Sequence, residues 1–252
     1  MVKHLIFDFD GTLADTTEGI IITTQETLRR MGLPVVSAED FRPVIGLSLR
    51  DCFKYGTQTP EERLDEATGV YRSIFDGIAV PRTTLYEGVP GTLEALRGRG
   101  LQLGIATSRS GRTLRMLLDV LGIRDHFAEL AATDEVEHPK PAPDLALLLM
   151  ERLGARPEET VVIGDTVFDL QMGRAAGCRT VGVTYGNQDR AQIETASPDW
   201  TVDRFPALLD ILGGQKFAIP KLIDTFAKHE DVPCIPPSPP SLKDPVGRCV
   251  RT

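Results

Sequence analysis

The chain has 252 residues, enough for one large domain or two smaller ones, and 41% are hydrophobic, an ordinary share for a globular protein with a sizeable core. A formal net charge of -8 argues against broad attraction to nucleic acid or an anionic membrane, although a local basic pocket can still hold a small anion. No apolar run is long enough to span a bilayer, and the N-terminus enters a strand at once without a signal-peptide pattern.

The first predicted element is the strand in "HLIFDF". Leu5, Ile6 and Phe7 read as buried, and Asp8 and Asp10 sit where the strand ends. Two carboxylates this close repel each other unless a cation or a shared proton compensates. Such a cost at a strand end points to a metal site or a catalytic pair. Residues 16–82 then break the pattern. "TEGIIITTQETLRRMG" and "TPEERLDEATGVYRSIFDG" have helical periodicity, and no convincing buried strand lies between them. This stretch is expected to be a helical insertion forming a small domain of its own.

From "GVPGT" onward, short apolar runs alternate with amphipathic stretches. The strands are predicted in "LQLGIATS", "AELAATD", "TVVIGDT" and "RTVGVTYG". The helices are predicted in "GTLEALRGRG", "RTLRMLLDVLG", "PDLALLLMERLG" and "VFDLQMGRAAG", several of which stop at glycine. The alternation predicts an α/β fold, a Rossmann-like parallel sheet with helices on both faces. Residues 1–15 and 83–213 make up that core, and 16–82 the inserted helical cap. Residues 214–252 are assigned to a C-terminal helix and a proline-rich tail. The four cysteines are scattered, with no CxxC pair, so reduced thiols and a cytoplasmic location are expected. Cys52 and Cys178 read as small buried apolar residues.

In a parallel sheet, ligands gather beyond the carboxyl ends of the strands. The residues found there are Asp8 and Asp10, Thr107 and Ser108, and Asp165 followed by Asp169. Lys140 lies in the loop "HPKPAPD". Together they offer carboxylates for a divalent metal, hydroxyls for phosphate oxygens and one ammonium, which is the equipment of phosphoryl transfer.

These stretches resemble the motifs of the haloacid dehalogenase superfamily. "DFDGTLAD" resembles its first motif, "ATS" its second, "HPKPAPD" its third and "GDTVFD" its fourth, in order along the chain. The subgroup most resembled is the phosphoglycolate phosphatase-like one, partly through "VIGLSLRDCF" in the insertion. The resemblance implies that Asp8 attacks phosphorus and becomes an aspartyl-phosphate. It makes Asp10 the acid and base, and Lys140 the group that neutralises Asp8 and the transferring phosphoryl. It also implies phosphate contacts from Phe9, Thr107, Ser108 and Lys140. Mg²⁺ would be held by Asp8, the Asp10 carbonyl and Asp165, with Asp169 behind them. Arg42, Gly46 and Arg50 become candidates for substrate selection. The implied partner is a small phosphorylated metabolite, with no nucleic acid and no membrane, and the oligomeric state is left open. Phosphoglycolate, sugar phosphates, nucleoside monophosphates and pyrophosphate all fit. A sugar-phosphate mutase and a non-catalytic binding protein on the same fold are the rival readings. Phosphonate cleavage is disfavoured, because Leu49 stands where that subgroup would offer a lysine.

Overall fold

The computed structural model describes residues 1–212, so the expected C-terminal helix and proline-rich tail lie outside the described residues. The chain opens with β1 (His4–Phe7) and a two-residue strand, β2 (Ala14–Asp15). Four helices follow: α1 (Thr17–Arg30), α2 (Ala38–Phe41), α3 (Leu49–Gly56) and α4 (Leu64–Ile78). A second two-residue strand, β3 (Thr84–Leu85), pairs antiparallel with β2. The alternation then begins with α5 (Val89–Gly98), β4 (Gln102–Thr107), α6 (Gly111–Val120) and β5 (Glu129–Ala132). It continues through α7 (Asp144–Leu153), β6 (Thr160–Gly164), α8 (Val167–Ala175) and β7 (Arg179–Val183). It closes with α9 (Arg190–Thr195), β8 (Trp200–Val202) and α10 (Leu208–Ile211).

Six strands form one parallel sheet in the order β5-β4-β1-β6-β7-β8. The five predicted strands are all present, and β8 adds a sixth at the edge. The chain builds outward from β1 to β4 and β5, then returns to the other side of β1 for β6. Strand order therefore reverses at β1, where the carboxyl ends of neighbouring strands open a crevice.

Side chains alternate across the sheet, as strand geometry requires. Leu5, Phe7, Ile105, Val161 and Ile163 face a core shared with Leu93 of α5, Leu117 of α6 and Leu208 of α10. Ile6, Ala106 and Val162 face the other way, against Leu145 and Leu149 of α7 and Met172 of α8. Helices thus cover both faces, and β1 is buried along its whole length.

Between β2 and β3 the described chain is helical, with α4 packed along both α1 and α3. Ser48 caps α3 by accepting from the Asp51 N–H at 3.2 Å, the local signal that starts this helix. Ile21, Phe41, Ile45 and Cys52 form a small apolar cluster here. Phe53, Tyr71 and Phe75 instead join the large core beneath the sheet. Cys52 and Cys178 are both buried and free. No helix among the described residues is long and apolar enough to cross a membrane.

Candidate functional site

The crevice at the end of β1 collects residues from four separate parts of the chain. Asp8 follows β1 directly, and its N–H donates to Ile163 O at 2.9 Å, which pins its backbone between the strands. Lys140 Nζ donates to Asp8 Oδ1 at 2.6 Å and to Asp169 Oδ1 at 2.7 Å. The other oxygen of Asp169 accepts from Thr166 N at 3.1 Å and Thr166 Oγ1 at 2.6 Å, so both of its oxygens are engaged. Asp165 Oδ1 accepts from Thr12 Oγ1 at 3.1 Å. Its Oδ2 accepts from the Asn187 N–H at 2.7 Å and from Asn187 Nδ2 at 2.9 Å.

The electrostatics are dominated by an excess of buried negative charge. Oxygens of Asp8, Asp165 and Asp169 lie within 4.8 Å of one another, and all three residues are buried. Burial works against the Lys140 ammonium, but Asp169 and Asp8 together outweigh it and hold its pKa up. One ammonium cannot balance three carboxylates. Burial, with Asp169, Asp165 and Asp10 nearby, pushes Asp8 well above the usual carboxylate range, against the pull of Lys140. Burial and Asp169 lift Asp165 to about 7, although the Asn187 and Thr12 hydrogen bonds oppose the shift. Such a cluster lacks positive charge and is made of hard oxygen donors, so its chemistry fits a divalent cation.

Gly11 makes the close packing possible. Its φ is +86°, and a Cβ there would collide with the Asp165 carboxylate. Gly164, at the end of β6, leaves room for the Asp169 side chain in the same way.

The other predicted residues fall in different places. Phe9 is fully buried between the two aspartates, and Thr107 is fully buried at the end of β4. Ser108 reaches towards the insertion, where its Oγ donates to Gly46 O at 2.6 Å. Gly46 and Arg50 line a cavity of about 240 Å³ over Asp8 and Asp10. Arg50 is half-buried and already donates to Glu61 and Asp65. Arg42 lines two other surface pockets instead.

Several residues at the site were not anticipated, among them Arg109, Thr16 and Asn187. Arg109 clasps Asp10 with a fork, Nε to Oδ2 at 2.6 Å and Nη2 to Oδ1 at 2.5 Å. Its guanidinium carbon lies 4.8 Å from the centre of the Phe75 ring and 5.8 Å from that of Phe9. Thr16 Oγ1 also donates to Asp10 Oδ1, at 2.5 Å. Asn187, which positions Asp165, follows "TYG" at the end of β7. The stretches just past the strand ends carry Arg109 and Asn187, two residues after β4 and four after β7.

Comparison with known proteins agrees with this geometry. A protein of Dickeya dadantii (strain 3937) named probable phosphatase IndB is 36% identical over 209 residues, covering 81% of this chain and 91% of that one. Pyrophosphatase PpaX of Bacillus velezensis is 34% identical over 212 residues, covering 84% of this chain and 97% of its own. The solved structure of a predicted phosphoglycolate phosphatase from Haemophilus somnus 129pt matches with a TM-score of 0.75 at 25% identity, over 84% of this chain and 98% of that chain. The family model for haloacid dehalogenase-like hydrolases matches residues 5–183, a span that contains every carboxylate of the site and its lysine. The chain belongs to the haloacid dehalogenase-like hydrolase family.

Proposed function

We propose that the chain is a Mg²⁺-dependent phosphatase that hydrolyses a small phosphorylated metabolite through an aspartyl-phosphate on Asp8. The observation that carries this reading is the asymmetry of the Asp8 carboxylate. Oδ1 is held by Lys140, while Oδ2 has no hydrogen-bond partner among the described residues and Asp8 lines the cavity. A buried carboxylate with one oxygen anchored and the other free is prepared to attack. The names of the relatives, a phosphatase, a pyrophosphatase and a phosphoglycolate phosphatase, support the same class.

Asp8, the Asp10 carbonyl and Asp165 would hold Mg²⁺, which would supply charge neutralisation for the phosphoryl oxygens. Asp8 Oδ2 forms a bond to phosphorus as the bond to the leaving oxygen breaks, and Asp10 gives that oxygen a proton. Asp10 then takes a proton from a water, whose oxygen attacks phosphorus and breaks the bond to Asp8, releasing inorganic phosphate. Lys140 stays on Asp8 through both steps and offsets the charge of the transferring group. Thr107, Ser108 and the backbone at Phe9 hold the phosphoryl oxygens. The helical insertion acts as the cap that excludes bulk water and selects the leaving group.

The test is a phosphate-release assay on a panel of phosphorylated metabolites, ranked by kcat/KM. Wild type turns over with Mg²⁺, and Asp8→Asn loses more than about a thousandfold in kcat while its circular dichroism spectrum is unchanged. Mass spectrometry with beryllium fluoride or substrate then places the label on Asp8. Label on another residue, or full turnover by Asp8→Asn, overturns the reading.

A further inference from the structure

The cavity over Asp8 and Asp10 has an arginine-rich wall formed by Arg50, Arg72, Arg109 and Arg112. Two of the four are committed to carboxylates. Arg50 donates to Glu61 and Asp65, and Arg112 Nη2 donates to both oxygens of Asp76 at 3.2 Å. Arg72 is exposed to the cavity and has no ion-pair or hydrogen-bond partner among the described residues. Arg109 is divided. Its Nε–Nη2 edge is spent on Asp10, while Nη1 has no partner among the described residues, although the side chain is only 9% exposed.

A guanidinium is a planar fork with two usable edges, each matched to a carboxylate or a phosphate. The Nη1 side of Arg109 lies at the cavity without a protein partner among the described residues, so it is open to an anion bound there. The Phe75 ring lies 4.8 Å from the Arg109 guanidinium carbon, and Arg72 is one turn before Phe75 on the same face of α4. The free edge of Arg109 and the uncommitted Arg72 therefore belong to one wall. A volume of about 240 Å³ is below the ~300–1,000 Å³ usual for ligand pockets, so the leaving group must be small.

We propose that the free edge of Arg109, together with Arg72, is a second anion subsite that binds a negatively charged group on the leaving group. The substrates are then small phosphomonoesters or anhydrides that carry a further carboxylate or phosphate. This rests on the phosphatase reading above and adds the class of leaving group to it. With one edge on Asp10 and the other on the leaving group, Arg109 fixes the distance between the acid and the oxygen it protonates. Arg109 is in this sense a positioning residue, and Arg72 acts on affinity.

The test compares substrates matched except for the second charge. Phosphoglycolate and ethyl phosphate share a two-carbon leaving group, with and without a carboxylate, and pyrophosphate supplies the phosphate alternative. In wild type, kcat/KM for at least one anionic substrate should exceed that for ethyl phosphate by about ten- to a hundredfold. The substrate showing that excess identifies carboxylate or phosphate as the bound group. Arg72→Gln should cut the excess several-fold, mainly through KM. Arg109→Gln should slow all substrates through Asp10 and abolish the excess as well, and Arg109→Lys should restore part of it. Turnover with no excess, or an excess that both glutamine variants retain, overturns the subsite and leaves the phosphatase reading standing. Calorimetric titration with two non-hydrolysable pairs covers the opposite case. These are 3-phosphonopropionate against propylphosphonate, and imidodiphosphate against inorganic phosphate. If no substrate is turned over, tighter binding of the doubly anionic member that Arg72→Gln weakens upholds the subsite while the phosphatase reading falls. Equal binding within both pairs overturns the subsite.

Discussion

Ser108 Oγ donates a 2.6 Å hydrogen bond to the carbonyl oxygen of Gly46, tying the loop after β4 to the turn before α3. A hydroxyl has a single proton to donate, so Ser108 cannot serve Gly46 and a phosphate oxygen fully at the same time. Replacing Ser108 with alanine removes both uses. We expect Ser108→Ala to raise KM for every substrate by a similar factor, about two- to tenfold, because the phosphoryl group is common to all of them. Inhibition constants for inorganic phosphate should weaken in parallel. A change confined to one leaving group would place Ser108 in substrate selection instead.

Lys140 is the ammonium balancing Asp8 and Asp169, at 2.6 and 2.7 Å. Lys140→Met keeps the length of the side chain and removes the charge, leaving two buried carboxylates facing each other. Breaking a buried pair in this way costs about 3–5 kcal/mol. Urea unfolding of the chelated variant should show the loss as a lower midpoint at unchanged slope. Added Mg²⁺ should recover part of the stability and little of the turnover.

Asp165 gives a pH dependence of definite sign. Burial and Asp169 raise it to about 7 in the folded chain, whereas an unfolded aspartate titrates near ~3.9. Between those values the folded state binds a proton that the unfolded state lacks, so this group's contribution to stability falls as pH rises. Metal-free protein should therefore lose Tm between about pH 4 and pH 7 on account of Asp165. Asp165→Asn should flatten that dependence and raise Tm at pH 7, by about 2–4 °C for each kcal/mol in a domain of this size. Mg²⁺ should raise the Tm of wild type at pH 7 and leave that of Asp165→Asn nearly unchanged. Activity of wild type in EDTA should be negligible and return with Mg²⁺.

Gly11 offers a test that leaves every site side chain in place. Its φ of +86° is strained for any residue with a Cβ, and that Cβ would press on the Asp165 carboxylate. Gly11→Ala should abolish turnover and weaken the Mg²⁺-induced rise in Tm. A variant that binds Mg²⁺ and turns over like wild type would show that the turn can relax.

Much of this arrangement could be read in the sequence because the signals were local. The runs ending at Phe7, Thr107 and Gly164 are apolar and continuous, as strands buried on both faces must be. Their ends fixed the positions of Asp8 and Asp165 without knowledge of the sheet order. β8 was missed because it has three residues and lies at the edge, with Trp200 and Thr201 only half-buried. The β2–β3 pair is shorter still and exists only because Ala14 meets Leu85 and Asp15 meets Thr84, far apart in sequence. Arg109 and Asn187 were missed for a related reason. A single arginine or asparagine after a strand has no periodicity, and its meaning appears only when Asp10 or Asp165 is beside it. Arg42 and Arg50 looked like anion partners from charge alone. In the fold, Arg50 is answered by Glu61 and Asp65, and Arg42 faces other pockets.

The antiparallel pairing of Ala14 with Leu85 and Asp15 with Thr84 puts the departure and the return of the helical segment side by side. An inserted segment whose two ends already touch makes little demand on the scaffold that carries it. Closing a longer loop across the same gap costs only about 0.6 kcal/mol for each doubling of its length. A loop of the segment can thus be lengthened without moving its two ends, while Phe53, Tyr71 and Phe75 keep the segment seated on the large core. A helical segment grafted between Asp15 and Thr84 would therefore have to supply apolar side chains in place of Phe53, Tyr71 and Phe75 to keep the core that carries β1.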